Sequence, residues 1–175
     1  NSPSPITIAA GDSLRLERGI ITAGGLTVDG TLILEGNLTM STPTMTVNPG
    51  ASVLVRSASF ANASATFTHP LTVSGTLRLM SQNTTPAAVN FGTNALTIAA
   101  GGTLDFATGV AENHALSAAS IDNNGTITFG SSAAVTGPIA QRNLMTVSAL
   151  KTATLSSPLT LFTGSVTTNL GTLAL

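Results

Sequence analysis

Residues 71–79 read LTVSGTLRL, and this nonapeptide decides the fold. Leu71 and Val73 flank Thr72, Ser74-Gly75 interrupts, and Leu77 and Leu79 then alternate with Thr76 and Arg78. Apolar residues at a period of two mark a half-buried strand, and the Ser-Gly between them marks a corner. The unit recurs as ITIAAGDSLRL (6–16), LTVDGTLIL (26–34), MTVNPGASVLV (45–55), LTIAAGGTLDF (96–106) and, more loosely, ASIDNNGTITF (119–129). MTV at 145–147 begins another copy, and LTL (159–161) with GTLAL (171–175) closes the chain. Copies that begin at 6, 26, 45, 71, 96, 119 and 145 have the spacing of a solenoid, roughly 19–26 residues.

In the second strand of each unit the inward pairs are Leu14 and Leu16, Leu32 and Leu34, Val53 and Val55, Leu77 and Leu79, Leu104 and Phe106, and Ile127 and Phe129. The residues between them are chemically mixed, as an outward face requires. Gly11, Gly30, Gly50, Gly75, Gly102 and Gly125 precede these strands, and a sharp corner with positive φ is expected at each. No helical stripe exceeds about two turns, and VAENHALSAAS (110–120) reads as a bulged loop. Strands without intervening helices suit short coils that stack parallel and in register. The expected fold is all-β: one domain over 1–175, a single-stranded parallel β-helix of about seven coils of 19–26 residues, with the right-handed path usual for parallel crossovers. At roughly 4.8 Å per coil the rod is about 35 Å long. A β-sandwich is the alternative, because Asn124-Gly125 and Asp29-Gly30 are hairpin signals. Both dipeptides fall on the repeat corner, which favours the solenoid.

Composition narrows the function. Only 7% of the 175 residues are charged, six positive and seven negative, against about 25% in an ordinary domain. This leaves no basic patch for nucleic acid and no polybasic face for acidic membranes. The absence of Cys removes disulfides, thiolate metal sites and cysteine catalysis. With 42% hydrophobic residues the chain does not have a disordered composition. No apolar run approaches the roughly 18 residues of a membrane-spanning helix. A start at Asn1 rather than Met is that of a processed or excised chain.

The units resemble the rungs of secreted right-handed β-helices, above all autotransporter passengers and filamentous-haemagglutinin-type surface proteins. An apolar–Thr–Val strand, a corner and a Gly-Thr-Leu strand, as in LTVSGTLRL, carry the likeness over most of the chain. The resemblance implies an extracellular or cell-surface location and a surface or adhesive role, without a particular ligand.

The candidate chemistry is sparse. Gly11-Asp12-Ser13-Leu14 matches a hydrolase nucleophile block, but neither His69 nor His114 has the Asp three residues earlier that such a mechanism needs. The carboxylates Asp12, Glu17, Asp29, Glu35, Asp105, Glu112 and Asp122 are dispersed among coils, whereas glycoside chemistry clusters them. Only Arg78 and Asp105 share an outward column in neighbouring copies. Asp122-Asn123-Asn124-Gly125 has the oxygens of a Ca²⁺ loop without its downstream carboxylate, and two isolated histidines make no zinc site. No enzyme activity, cofactor or metal is expected. Thr7, Thr27, Thr46, Thr72, Thr97 and Thr146, with Ser120 substituting once, form a threonine ladder. The neighbouring slot (Ala9, Asp29, Asn48, Ser74, Ala99) is irregular, so a structural ladder is preferred and ice binding stays a minor alternative. Four sequons offer possible N-glycosylation at Asn37, Asn62, Asn83 and Asn124.

The ends carry the sharpest expectation. A solenoid normally caps its terminal coils with a polar face. Here the first repeat starts at Ile6, the chain closes within a strand pattern, and from Asn143 onward the only charged side chain is Lys151. Stacking of the last coil of one copy on the first coil of the next is a heterologous contact and propagates into a filament. The axial interface would use Ile6, Ile8, Leu14, Leu16, Leu159, Leu161, Leu173 and Leu175, and Ile33 with Leu54 would add a lateral contact. The expected function is that of an extracellular structural subunit whose partner is itself. The alternative is a surface adhesin that binds host protein or glycan.

Overall fold

The computed structural model describes residues 3–57, 63–82, 84–109 and 112–175. Its strands form three parallel sheets of eight strands each, so every coil contributes one strand to each sheet. The first coil is Ile6–Ile8, Ser13–Leu16 and Gly19–Ile21, and the last is Leu159–Leu161, Val166–Asn169 and Thr172–Ala174. Eight strands per sheet make a rod about 34 Å long at the usual interstrand spacing. This is the all-β parallel solenoid expected from the repeat, and the described residues contain no helix.

Register fixes the packing. Leu71 aligns with Leu96, Leu77 with Leu104 and Leu79 with Phe106, so each inward column is continuous from coil to coil. One core runs along the axis, from Ile8 through Val28, Val47, Val73 and Ile98 on the first sheet and from Leu32 through Val53, Leu77, Leu104 and Ile127 on the second. Phe106 stacks on Phe129 with ring centroids 4.8 Å apart, and Phe67 on Phe91 at 4.9 Å. Asn123 and Gln141 fill neighbouring inward slots and pair: the Asn123 Nδ2 donates to Gln141 Oε1 at 2.9 Å and the Asn123 Oδ1 accepts from the Gly125 N–H.

The corner glycines fall into two kinds, where the sequence suggested one. Gly50 has φ +82° in a four-residue turn closed by the Ala51 N–H on the Asn48 carbonyl, and the turns around Gly11 and Gly101 are built likewise. Gly75 lacks positive φ. It is needed because a Cβ there would run into the Ala51 and Asn48 carbonyl oxygens of the coil before. Gly30 and Gly125 meet the preceding turn in the same way. Gly75→Ala therefore forces two backbones apart, and a loss of about 1–3 kcal/mol in chemical denaturation is expected.

The repeat changes phase after residue 119. Ile121 aligns with Leu96, which puts Ser120 opposite Ala95 and Asp122 in the slot held by Thr97. The next coil begins at Ile139, and Leu144–Val147 lies on the second sheet, so Thr146 pairs with Thr128 and Thr168. Thr146 and Ser120 therefore stand outside the ladder; Thr7, Thr27, Thr46, Thr72 and Thr97 are in it. Every corner of a solenoid poses the same steric problem, so strand–turn–strand units on different sheets look alike in sequence. Leu150 (φ +62°) sits where the turn at 48–51 has Gly50. Proline marks the true frame: Pro5, Pro70, Pro138 and Pro158 immediately precede strands of the first sheet.

Candidate assembly surfaces

The strands of the first and last coils have a hydrogen-bonded neighbour on one side only. Their free edges match in length: three, four and three residues on each coil. Between the edges lies the end of the core. In the first coil Ile8 is buried, Leu14 and Leu16 are half-buried, and Ile6 is exposed. In the last coil Leu159 and Leu173 are half-buried against the core, while Leu161 and Leu175 are 58% and 81% exposed. Two inward slots of the last coil turn polar, Thr167 above Met145 and Asn169 above Val147. The Thr167 hydroxyl is buried without a partner, and the Asn169 Oδ1 accepts from the Gly171 N–H at 3.2 Å. The sequence pattern missed these two, because the phase shift had placed Leu144–Val147 on the wrong sheet.

The flanks are quieter. Ile33 and Leu54 are register partners and half-buried, and Arg78 continues their column beyond Leu54. The five threonines of the ladder share one outward column, which Asp122, Ala140 and Thr160 continue. Beside it the Asn48 Nδ2 donates to Asp29 Oδ1 at 2.6 Å. Asn37 is exposed at the start of Asn37–Met40; Asn124 is half-buried, and its carbonyl accepts from Asn143 Nδ2. Asn62 and Asn83 lie outside the described residues.

The charged residues work in columns across coils. Arg78 and Asp105 are register partners with Nε 3.0 Å from Oδ2, as their shared column implied. Burial pushes the Asp105 carboxyl up from its ordinary value, and the Arg78 guanidinium pulls it back. Asp122 accepts from Arg142 Nε at 2.8 Å, and Arg142 also lies over the Phe162 ring at 3.8 Å. Glu112 accepts from the Ser132 N–H and from Lys151, which holds its carboxyl below the usual range. The largest cluster is Glu35, almost fully buried, whose carboxylate accepts from Arg15 Nε at 2.8 Å and Arg56 Nε at 2.6 Å. The sequence left these three scattered. The signal that finds them is alignment one residue past the strand end, where Glu35 falls opposite Arg56.

Residues weighed for chemistry are separated or already engaged. Asp12 and Ser13 are exposed on the first coil, and His69 and His114 are buried elsewhere in the rod. Asn123 is turned into the core and Asp122 is paired, so 122–125 is a corner. Among the described residues no three His, Cys, Asp or Glu side chains are placed to hold a metal ion.

The architecture is that of a three-sided parallel β-solenoid. A family model described as the G8 domain matches residues 1–118, two thirds of the chain, and the chain belongs to that family. G8 domains are typical of extracellular proteins, and no described helix is long and apolar enough to cross a membrane. The likeness to autotransporter and haemagglutinin-type rungs is thus one of repeat and fold, and the family is G8. No curated protein and no solved structure matches the chain.

Proposed function

We propose that the chain is an extracellular structural protein, a β-solenoid subunit that assembles head to tail into a fibre or surface layer. The observation that carries this is the pair of terminal faces: parallel edges of equal strand length around a cross-section that is apolar except at Thr167 and Asn169. Unpaired edge amides and carbonyls need a strand as partner, and the apolar ends need a core to continue into. Either a continuing polypeptide or a second copy would cover them, and the register of the columns supports the second copy. The columns fit. Leu161 and Leu159 of one copy meet Ile8 and Ile6 of the next. Leu175, which continues the column of Leu155, falls over Gly19, where there is no side chain to oppose it.

The test uses exposed positions, so that the subunit itself still folds. Leu161→Asp with Leu175→Asp blocks one face, and Ile6→Asp blocks the other. Each uncompensated carboxylate in an apolar contact costs several kcal/mol, so about 100-fold more protein is needed for assembly. Because the contact is heterologous, the two blocked variants mixed together form a one-to-one dimer and stop there. Assembly of both variants at wild-type concentrations would exclude the axial interface.

A second reading, a surface adhesin, is favoured by one observation. The links from Ser52–Ser57 to Ala63–Phe67, from Thr76–Ser81 to Ala87–Asn90 and from Thr103–Phe106 to His114–Ser117 are longer than those of the other coils. All three join a strand of the second sheet to one of the third, and insertions gathered on one side of a repeat protein often form its binding face. Monomeric rods that bind cells or a glycan array would favour this reading over the first.

A further inference from the structure

Two imidazoles are enclosed in the central coils, and the assembly reading makes no use of them. His114 opens the strand His114–Ser117 and is fully buried. Its Nδ1 accepts from the Ala87 N–H at 3.0 Å, so the neutral ring carries its proton on Nε2, which has no hydrogen-bond partner. The nearby Ala107 carbonyl accepts from the Ser131 hydroxyl at 2.9 Å and only partly offsets the burial of the ring. His69 is 5% exposed, lies edge-on to Phe67 at 6.1 Å, and has no partner for either nitrogen. The Met40 carbonyl beside it is occupied by the Thr68 N–H and hydroxyl. Thr42, aligned with His69 one coil earlier, is buried with an unpartnered hydroxyl as well.

We propose that His69 and His114 form an acid-sensitive device that keeps the central coils closed at neutral pH and opens them on mild acidification. A proton added to either ring creates a charge in an apolar interior, where the Met40 carbonyl beside His69 and the Ala107 carbonyl beside His114 offset less than burial costs. The groups that face His114 are Asp105, tied to Arg78, and Glu112, tied to Lys151 and the Ser132 N–H. Both carboxylates are thus committed to other donors. Among the described residues no charged side chain acts on His69. Burial lowers the titration of both rings from the ordinary 6.5. A group lowered in the folded state leaves the unfolded chain holding more protons, so its stabilisation is complete above 6.5 and declines as pH falls through that value. The lowered titration of Glu112 acts in the same direction but only below its ordinary 4.5, and the raised titration of Asp105 acts in the opposite direction.

Hydrogen–deuterium exchange of the wild-type chain at pH 7.5 and 5.5, corrected for intrinsic rates, tests the device. Amides of Ala63–Phe67 and His114–Ser117 are expected to exchange at least ~3-fold faster at the lower pH, with Thr31–Leu34 unchanged. Equal exchange at both pH values overturns the proposal. His69→Phe combined with His114→Gln removes both protonation sites, and a response that survives in this variant overturns it too. Should the variant fail to fold, ring-proton NMR of the wild-type chain decides. Opening must follow the histidine titrations, and opening with both rings still neutral contradicts the proposal.

Discussion

Glu35→Ala is expected to lower stability by about 3 kcal/mol, because it strips a buried carboxylate from two guanidinium groups. The side chain of Glu35 is 3% exposed, that of Arg56 20% and that of Arg15 52%. Removing one partner of a buried ion pair leaves the other charge uncompensated, at about 3–5 kcal/mol. Arg15 can swing toward solvent and Glu17, 3.3 Å from it, whereas Arg56 is held lower, so the lower end of that range applies. In a domain of this size that loss lowers Tm by roughly 6–12 °C. Glu35→Gln keeps the volume and removes the charge, and separates the electrostatic part from packing. Because the cluster joins three successive coils, the loss should fall on the first three coils. Exchange protection there should drop while that of Ile139–Gln141 stays. Calorimetry with an unchanged Tm would show the cluster to be ornamental.

Phe106→Ala carries the other large effect. Phe106 and Phe129 are both 0% exposed, and their rings stack 4.8 Å apart and nearly parallel at 5°. Truncation of a buried phenylalanine costs about 3–5 kcal/mol, since the lost transfer energy adds to a cavity that rigid neighbouring coils cannot close. Phe129→Ala removes the same contact from the other side. A double-mutant cycle should therefore show about 0.5–1.5 kcal/mol of coupling. Full additivity of the two substitutions would contradict the stacked geometry.

Much of the fold could be read from the apolar period and the corner glycines. LTVSGTLRL and its copies specify in–out alternation, and parallel stacking follows because like units align. What misled was frame. The unit MTVSALKTATL has the pattern of a first-sheet strand and corner yet spans the second and third sheets, since apolar–Thr–apolar serves any side of the solenoid. Pro138 before Ile139 was the available correction. The function of Gly75 was hidden for another reason: carbonyls of the preceding coil demand it, and a local turn rule does not see across coils. The Glu35 cluster and the enclosed histidines were invisible for the same reason. Their chemistry depends on which residues stack, and stacking depends on a frame that drifts by a residue or two at each longer corner.

Sedimentation velocity of the 17.4 kDa chain across a hundredfold range of concentration tests head-to-tail stacking most directly. Stacking predicts a distribution that moves to larger species as concentration rises, with the frictional ratio climbing as rods lengthen along one axis. A single species at the monomer mass throughout, with both apolar end faces left in water, would contradict it.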